Sequence, residues 1–370
     1  MLLVLCLIFW GGESAENVAW IPSTDVFHPL GLDEAMIRPD GGAYVLDFRG
    51  AHIDIYSPDG EPIKQIGRKG AGPGEFVYPS SMYQSEGRFY VYDKNNNSIS
   101  IFRENGDFID RRTFPERNIL VEKVAGGWAV ANWDGRGHTG PRSLYFLDES
   151  LENQRLLLQV KDYGRGGGLY ATTSEGKRHS EFGGVSRRAK ILASADGKSV
   201  YVSDPLKFKI RRISVADGSL LGEITRDEPA IPFDDDWAER KLLAYLDGSD
   251  IPASEVSRDF PSHFPSIRSM FLDPDGNLVV DRWRGKPDKK HYPVAYDDEG
   301  REIELVWPFG VLQRVVGKRE GMVYLTVYDP ESEEGGLARV SQRDMLTFLE
   351  ANPIRYRGQV LRAISSSRVQ

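Results

Sequence analysis

Six aspartates recur along this chain, each closing a short apolar run. They are Asp47, Asp93, Asp134, Asp204, Asp281 and Asp329. Basic side chains follow the first five: Arg49 and His52, Lys94, Arg136 with His138 and Arg142, Lys207 with Lys209, and Arg282 with Arg284 and Lys286. A carboxylate at the end of an extended run accepts backbone N–H groups of the following turn. One per repeat suits that capping role better than a ring of metal ligands. The cations carry the more suggestive chemistry. Gathered around one opening in a chain of formal charge −8, they would focus a positive potential and draw in an anion. The expected contacts are Arg49, His52, Lys94, Arg136, His138, Lys207, Arg282 and Arg284. Arg49, Arg136 and Arg284 take the centre, because a guanidinium grips a carboxylate through paired hydrogen bonds. The plainer alternative is that each cation pairs with its own repeat's aspartate on an ordinary loop.

The six histidines are His28, His52, His138, His179, His263 and His291. All fall in segments assigned below to one face, so two or three could converge as zinc ligands or as acid and base. His52, His138 and His291 form the alternative metal set, for Zn²⁺ or Ca²⁺. No pair shows a metal-ligand spacing, and the chain has no nucleophile elbow, phosphate-binding loop or HExxH. No catalytic residue and no cofactor is therefore expected on the main reading. Gly166-Gly167-Gly168 reads as flexible loop, and Asp234-Asp235-Asp236 as the acidic start of a helix over Trp237–Leu246.

The elements that must position these residues are strands. Each aspartate follows a turn glycine (Gly41, Gly87, Gly127, Gly197, Gly276 or Gly321) by five to eight residues, which marks the second strand of a hairpin. The aspartates lie 46, 41, 70, 77 and 48 residues apart. The short intervals match one propeller blade, and each long one holds an insertion. A further strand, a second turn such as Asp59-Gly60 or Asn105-Gly106, and a fourth strand complete the blade. The reading is an all-β, six-bladed β-propeller with two loop or helical insertions on one face, Lys161–Arg188 and Arg226–Pro265. Loops between second and third strands share that face with the connections between blades. The last blade lacks a fourth strand after Leu337–Val340, and Asn17–Ile21 is expected to supply it, leaving no long unpaired edge.

The second blade carries a family resemblance. Gly67-Arg68-Lys69-Gly70-Ala71-Gly72-Pro73-Gly74-Glu75-Phe76, then Phe89-Tyr90-Val91-Tyr92-Asp93, Asn95-Asn96-Asn97 and Asn105-Gly106, resembles an NHL repeat. Elsewhere only the V-x-D and turn elements persist. The resemblance implies a ring fold of the exported bacterial type and usually a binding role. It also admits metal-dependent lyases and hydrolases, the alternative to a non-catalytic binding protein, since fold alone does not settle chemistry.

Met1–Trp10 is an unbroken apolar run, the size of a signal-peptide core and too short to span a bilayer. The expected organisation is a signal peptide over 1–15, the propeller over 16–342, and a tail over 343–370 that packs outside or is disordered, with Asp344–Leu349 helix-like. A periplasmic or secreted monomer follows, with no membrane span. Its single cysteine, Cys6, leaves no disulfide for the fold. The acidic balance argues against nucleic acid, which needs a basic face. The expected partner is an anionic small molecule, a glycan or a protein.

Overall fold

The computed structural model describes residues 19–22, 34–48, 50–116, 119–132, 142–160, 168–172, 178–181, 189–204, 206–229, 231–232, 236, 239–240, 243, 256–259, 263–282, 292–305, 314–329, 334–341, 354–356 and 359–361. Among them, strands form six four-stranded antiparallel sheets, a three-stranded sheet and a C-terminal hairpin. The first sheet takes Glu34–Ile37, Ala43–Asp47, His52–Tyr56 and Pro62–Ile66 in simple succession. The second takes Pro79–Ser85, Arg88–Asp93, Ser98–Arg103 and Phe108–Thr113. The third runs Leu120–Val124, Gly127–Ala131, Arg142–Asp148 and Gln154–Val160. The fourth runs Ile191–Ala193, Ser199–Ser203, Lys209–Ser214 and Leu220–Thr225. The fifth has Ile267–Leu272, Leu278–Arg282, Tyr292–Tyr296 and Glu302–Ile303. The sixth has Arg314–Arg319, Met322–Asp329 and Glu334–Ser341, and its fourth strand is Ala19–Pro22 from the other end of the chain. Trp20 aligns with Ala338 and Ile21 with Leu337, the place expected from the missing strand.

The second strands explain the architecture. Gly127–Ala131, Ser199–Ser203 and Leu278–Arg282 are buried at every position, so both faces of these sheets need apolar cover. In Ala43–Asp47, Tyr44 and Leu46 pack with Phe76, Met82, Phe89 and Val91 towards the second sheet. The alternate residues Ala43 and Val45 pack with Tyr324 and Leu337 of the sixth. Similar clusters join the second sheet to the third, the third to the fourth and the fourth to the fifth. Burial of each large apolar side chain in these seams is worth about 1.5–3 kcal/mol. First strands of the first and second, third and fourth, fourth and fifth, and sixth and first sheets adjoin one another, so they form the inner ring. Fourth strands are largely exposed, as in Pro62–Ile66 and Leu220–Thr225. Sheets stacked face to face around adjoining first strands make an all-β propeller.

The turn glycines hold their expected places with one correction. In the third sheet the positive φ falls on Gly126, at 72°, and not on Gly127. Gly127 is the first strand residue, where a Cβ would lie 2.0 Å from the Leu147 carbonyl oxygen. The turn around Glu149-Ser150, weak in sequence, places Leu151 at φ 64°.

The face carrying these tight turns is occupied by contacts between sheets. Lys64 of the first sheet reaches the Asn105 carbonyl at 3.3 Å and Asp107 at 3.2 Å in a turn of the second. Arg112 likewise donates to Glu149 O of the third sheet, and Arg155 to Val215 O of the fourth. Arg212 donates to Asp298 O of the fifth sheet, and Arg339 of the sixth donates to Pro58 O of the first at 2.7 Å. In each case a basic side chain holds the turn between the third and fourth strands of the next sheet.

Candidate functional site on the loop face

The opposite face is organised by the repeated aspartates. Asp93 is 0% exposed, yet its carboxylate accepts from Val77 N at 2.6 Å, Tyr78 N at 3.1 Å, Asn95 N at 3.2 Å and Asn96 N at 3.0 Å. The Asn96 amide adds a further donor at 2.9 Å. Such a set of N–H donors offsets the cost of burying the charge. Val77 and Tyr78 belong to the connection from the first sheet to the second, while Asn95 and Asn96 belong to the loop after the second strand. The aspartate therefore ties the two kinds of loop together on one face, as the strand order requires. Asp47 accepts from Gly50 N at 2.7 Å, Asp204 from Leu206 N at 2.8 Å and Lys207 N at 3.0 Å, and Asp281 from Tyr292 N at 3.0 Å. Asp47, Asp93 and Asp204 cap the loops that follow them, whereas Asp281 holds the start of the next strand and lies 3.7 Å from Arg268 Nε. Asp134 lies outside the described residues.

The glycine-rich connection Gly67–Phe76 folds onto its own carboxylate. Glu75 accepts from Gly72 N at 2.8 Å and from Arg68 Nε at 2.7 Å, and these contacts hold its carboxyl below the usual range. Arg111 donates to Ala71 O at 2.8 Å and also to Glu75 O. Glu75 thus occupies the backbone donor and the guanidinium of its own connection. Beyond it, Phe76 turns inward and is fully buried, while Val77 and Tyr78 turn outward. Tyr78, 39% exposed, meets Phe48 from the loop of the first sheet, with ring centroids 5.3 Å apart and planes at 54°. Lys94 N donates to Tyr78 O at 3.0 Å.

Four of the eight expected anion contacts are described, and they occupy different settings. His52 Nε2 lies 3.4 Å from Asp54 and 3.9 Å from Asp47, and the Asp54 hydrogen bond raises its pKa against the opposing effect of burial. Lys94 and Lys207 are exposed on the loops of the second and fourth sheets. Arg282 is only 5% exposed; it donates to Glu228 at 2.5 Å and to Tyr292 O at 3.1 Å. Glu228 also receives Arg226 Nε at 3.2 Å, and Arg226 pairs with Glu302 and Tyr296. That network fastens the base of the second insertion to the fifth sheet. Arg49, Arg136, His138 and Arg284 lie outside the described residues, as does His291 of the alternative metal set. Among the described residues no three His, Cys, Asp or Glu side chains are placed to hold a metal.

The two insertions build a sheet together. Gly168–Thr172 pairs with Arg178–Glu181 on one side and with Val256–Asp259 on the other, aligning Leu169 with Glu181 and Arg258. Gly168, read from sequence as flexible loop, is the first residue of the central strand. The second insertion is pinched at its base, where Pro232 bridges His263 and Phe264 N donates to Ile231 O at 2.9 Å. Asp236, Glu239, Arg240 and Leu243, within and beside the expected helix, have helical backbone. Sequence reasoning missed the Glu228 clamp, the shared sheet and the Phe48–Tyr78 pair. Only the last had a signal, an aromatic two residues behind the G-x-G-P-G-E-F segment.

No family model and no curated protein matches this chain. Solved structures do. A Bacteroides fragilis protein whose name presumes export is 12% identical with a TM-score of 0.51, over 88% of this chain and 95% of that one. Virginiamycin B lyase from Staphylococcus aureus is 11% identical with a TM-score of 0.38, over 87% and 99%. Hsv2 of Kluyveromyces lactis is 11% identical with a TM-score of 0.39, over 83% and 84%. At 12% identity the likeness to the Bacteroides fragilis protein is one of fold alone.

Proposed function

We propose that the chain is an exported, six-bladed, NHL-like propeller that binds an anionic ligand on its loop face without catalysing a reaction. One observation carries this reading. The turn face is given over to contacts that hold the ring, while the loop face presents exposed side chains on loops held by strand-end aspartates, of which Asp93 is buried. Elaborated, pre-positioned loops on a rigid scaffold are where binding usually resides. The anionic small molecule, glycan or partner protein would meet Lys94 and Lys207, together with the sequence-assigned Arg49, Arg136, His138 and Arg284. His52 and Arg282, each held by carboxylates, would shape this surface.

The test is charge reversal at Arg49, Arg136 and Arg284 together. Calorimetry against carboxylate, phosphate and sulfated glycan probes should show binding to the natural chain and a loss of at least about 100-fold in the triple variant, the scale of several close charge contacts. Unchanged affinity in a variant with native circular dichroism would refute the assignment. Stoichiometric zinc or calcium in protein purified without chelator, lost on His138→Ala, would instead favour a metal-dependent lyase or hydrolase.

A further inference from the structure

We infer that the outer edge of the fourth sheet docks an extended segment of a partner protein, apolar at one end and carrying a carboxylate at the other. This surface is separate from the loop face and does not rest on the anion-binding reading. The edge strand is Leu220–Thr225, and its ladder shows which backbone groups face out. Arg226 N donates inward to Phe208 O, and the register runs unbroken from Thr225 opposite Lys209 to Gly222 opposite Arg212. Hydrogen-bonded pairs alternate along an antiparallel ladder, so Ile224 and Gly222 also bond inward. Glu223 and Thr225 turn their N–H and C=O groups outward, where no strand among the described residues pairs with them.

The other fourth strands carry protection against such pairing. Pro62–Ile66 opens on a proline and bears Lys64, Phe108–Thr113 bears Asp110, Arg111 and Arg112, and Gln154–Val160 bears Arg155. Glu302–Ile303 is two residues long, and Ala19–Pro22 ends in proline. Leu220–Thr225 instead has one charged residue, Glu223, and two adjacent leucines that are 58% and 55% exposed. The register shift between Arg212 and Ile213 leaves Leu221 without an opposite residue, and an added Cβ at Gly222 would meet nothing within 4 Å. An incoming strand therefore finds open backbone groups, apolar surface and room.

The occupant follows from this chemistry. Free backbone groups on an edge accept another strand, and the side chains beside them set its sequence. The leucines favour apolar residues. Towards the other end, Lys209 and Arg211 share the single Glu223 carboxylate at 2.6 and 3.6 Å. That trio carries one positive charge in excess, which an incoming carboxylate complements. A second copy of this strand fits worse. Pairing about Glu223 sets two glutamates opposite each other, and pairing about Ile224 sets Leu221 opposite Asp227 of the other copy.

A phage-displayed library of random dodecapeptides should be selected on the full chain, with counter-selection on Thr225→Pro, which withholds the outward N–H. Enriched peptides are expected to alternate apolar residues and to carry an acid. A synthetic copy should bind Thr225→Pro and Leu221→Lys at least about tenfold more weakly, the scale of one lost hydrogen bond. Arg211→Gln should weaken it too, and by less for the peptide with its acid replaced by the amide. Saturating peptide should slow amide exchange at Glu223 and Thr225, a readout that needs no variant. Charge reversal at Arg49, Arg136 and Arg284 should leave peptide binding unchanged. No enrichment over Thr225→Pro, or no protection at Glu223 and Thr225, overturns the docking edge. Loss of peptide binding on the triple reversal moves the peptide to the loop face and overturns it as well. Basic peptides in place of acidic ones overturn the charge assignment. Dimerisation of the natural chain that Thr225→Pro abolishes gives the edge to a second copy and overturns the partner.

Discussion

His52 is held between two carboxylates, and that placement changes what the residue can do. Its Nε2 faces Asp54 at 3.4 Å and Asp47 at 3.9 Å, and the Gly50 backbone packs against the ring so closely that an added Cβ would lie 2.4 Å from Nδ1. Such an imidazole serves better as a charged brace of the first loop than as a zinc ligand, which must be neutral. The sign of its pH effect follows from the raised pKa. The folded state holds the proton more tightly than the unfolded chain, so the stabilisation is full below about pH 6.5. It is lost as pH rises through the higher folded value. Comparing melting temperatures of the natural chain and His52→Gln across pH should show the largest gap near pH 5.5 and a closing gap towards pH 9. A gap that widens with pH would show that His52 is neutral in the fold. At this scale the sequence was legible where a role repeats. Asp47, Asp93 and Asp204 cap their loops because each stands at the end of a strand of the same kind. Arg282 was not legible, since its partner Glu228 lies in a distant connection and no local pattern announces the pair.

Strands and turns were readable for a related reason. A second strand buried on both sides must be apolar throughout, and the glycine before it must take a positive φ, so the pattern is local and recurs. The third sheet shows the limit of that logic, because Gly126-Gly127 offers two candidates and only the clash with Leu147 O decides between them. The three-stranded sheet was invisible. Its strands, Gly168–Thr172, Arg178–Glu181 and Val256–Asp259, are short, and the central one finds a partner in another insertion. Pairing of that sort is set by the ring that brings the insertions together, not by strand propensity. Turn chemistry also yields a prediction. Glu86 and Glu320 occupy the first position of Glu-Gly turns at φ 53° and 51°, a conformation that favours Asn. Glu86→Asn and Glu320→Asn should each stabilise the fold by about 0.5–1 kcal/mol, read as a higher urea midpoint at unchanged slope. A lower midpoint would mean that these glutamates make contacts that outweigh their backbone strain.

At the scale of the whole molecule, the ends of the chain meet in one sheet. Ala19–Pro22 lies against Gly336–Arg339, and the sixth sheet is joined to the first through Tyr324 OH donating to Gly41 O at 3.0 Å and Arg339 to Pro58 O at 2.7 Å. Four residues from the N-terminal region thus cover an edge of Glu334–Ser341 that would otherwise offer unpaired backbone groups to another chain. The strand is short, so its own contribution is modest, about 2–4 kcal/mol if it supplies two to four net hydrogen bonds at about 1 kcal/mol each. Its effect on cooperativity should be larger, because the seam it completes ties residues from opposite ends of the sequence. A chain starting at residue 24 should therefore unfold at lower urea concentration and associate in a concentration-dependent way through the exposed edge. A peptide covering residues 16–24 should reverse both effects, since a ligand at 100 times its dissociation constant stabilises by about 2.7 kcal/mol. The same peptide with Ile21→Pro should not, because proline withholds the N–H that an inserted strand must donate. Truncated protein that melts like the full chain and stays monomeric would show that the first strand decorates the ring without closing it.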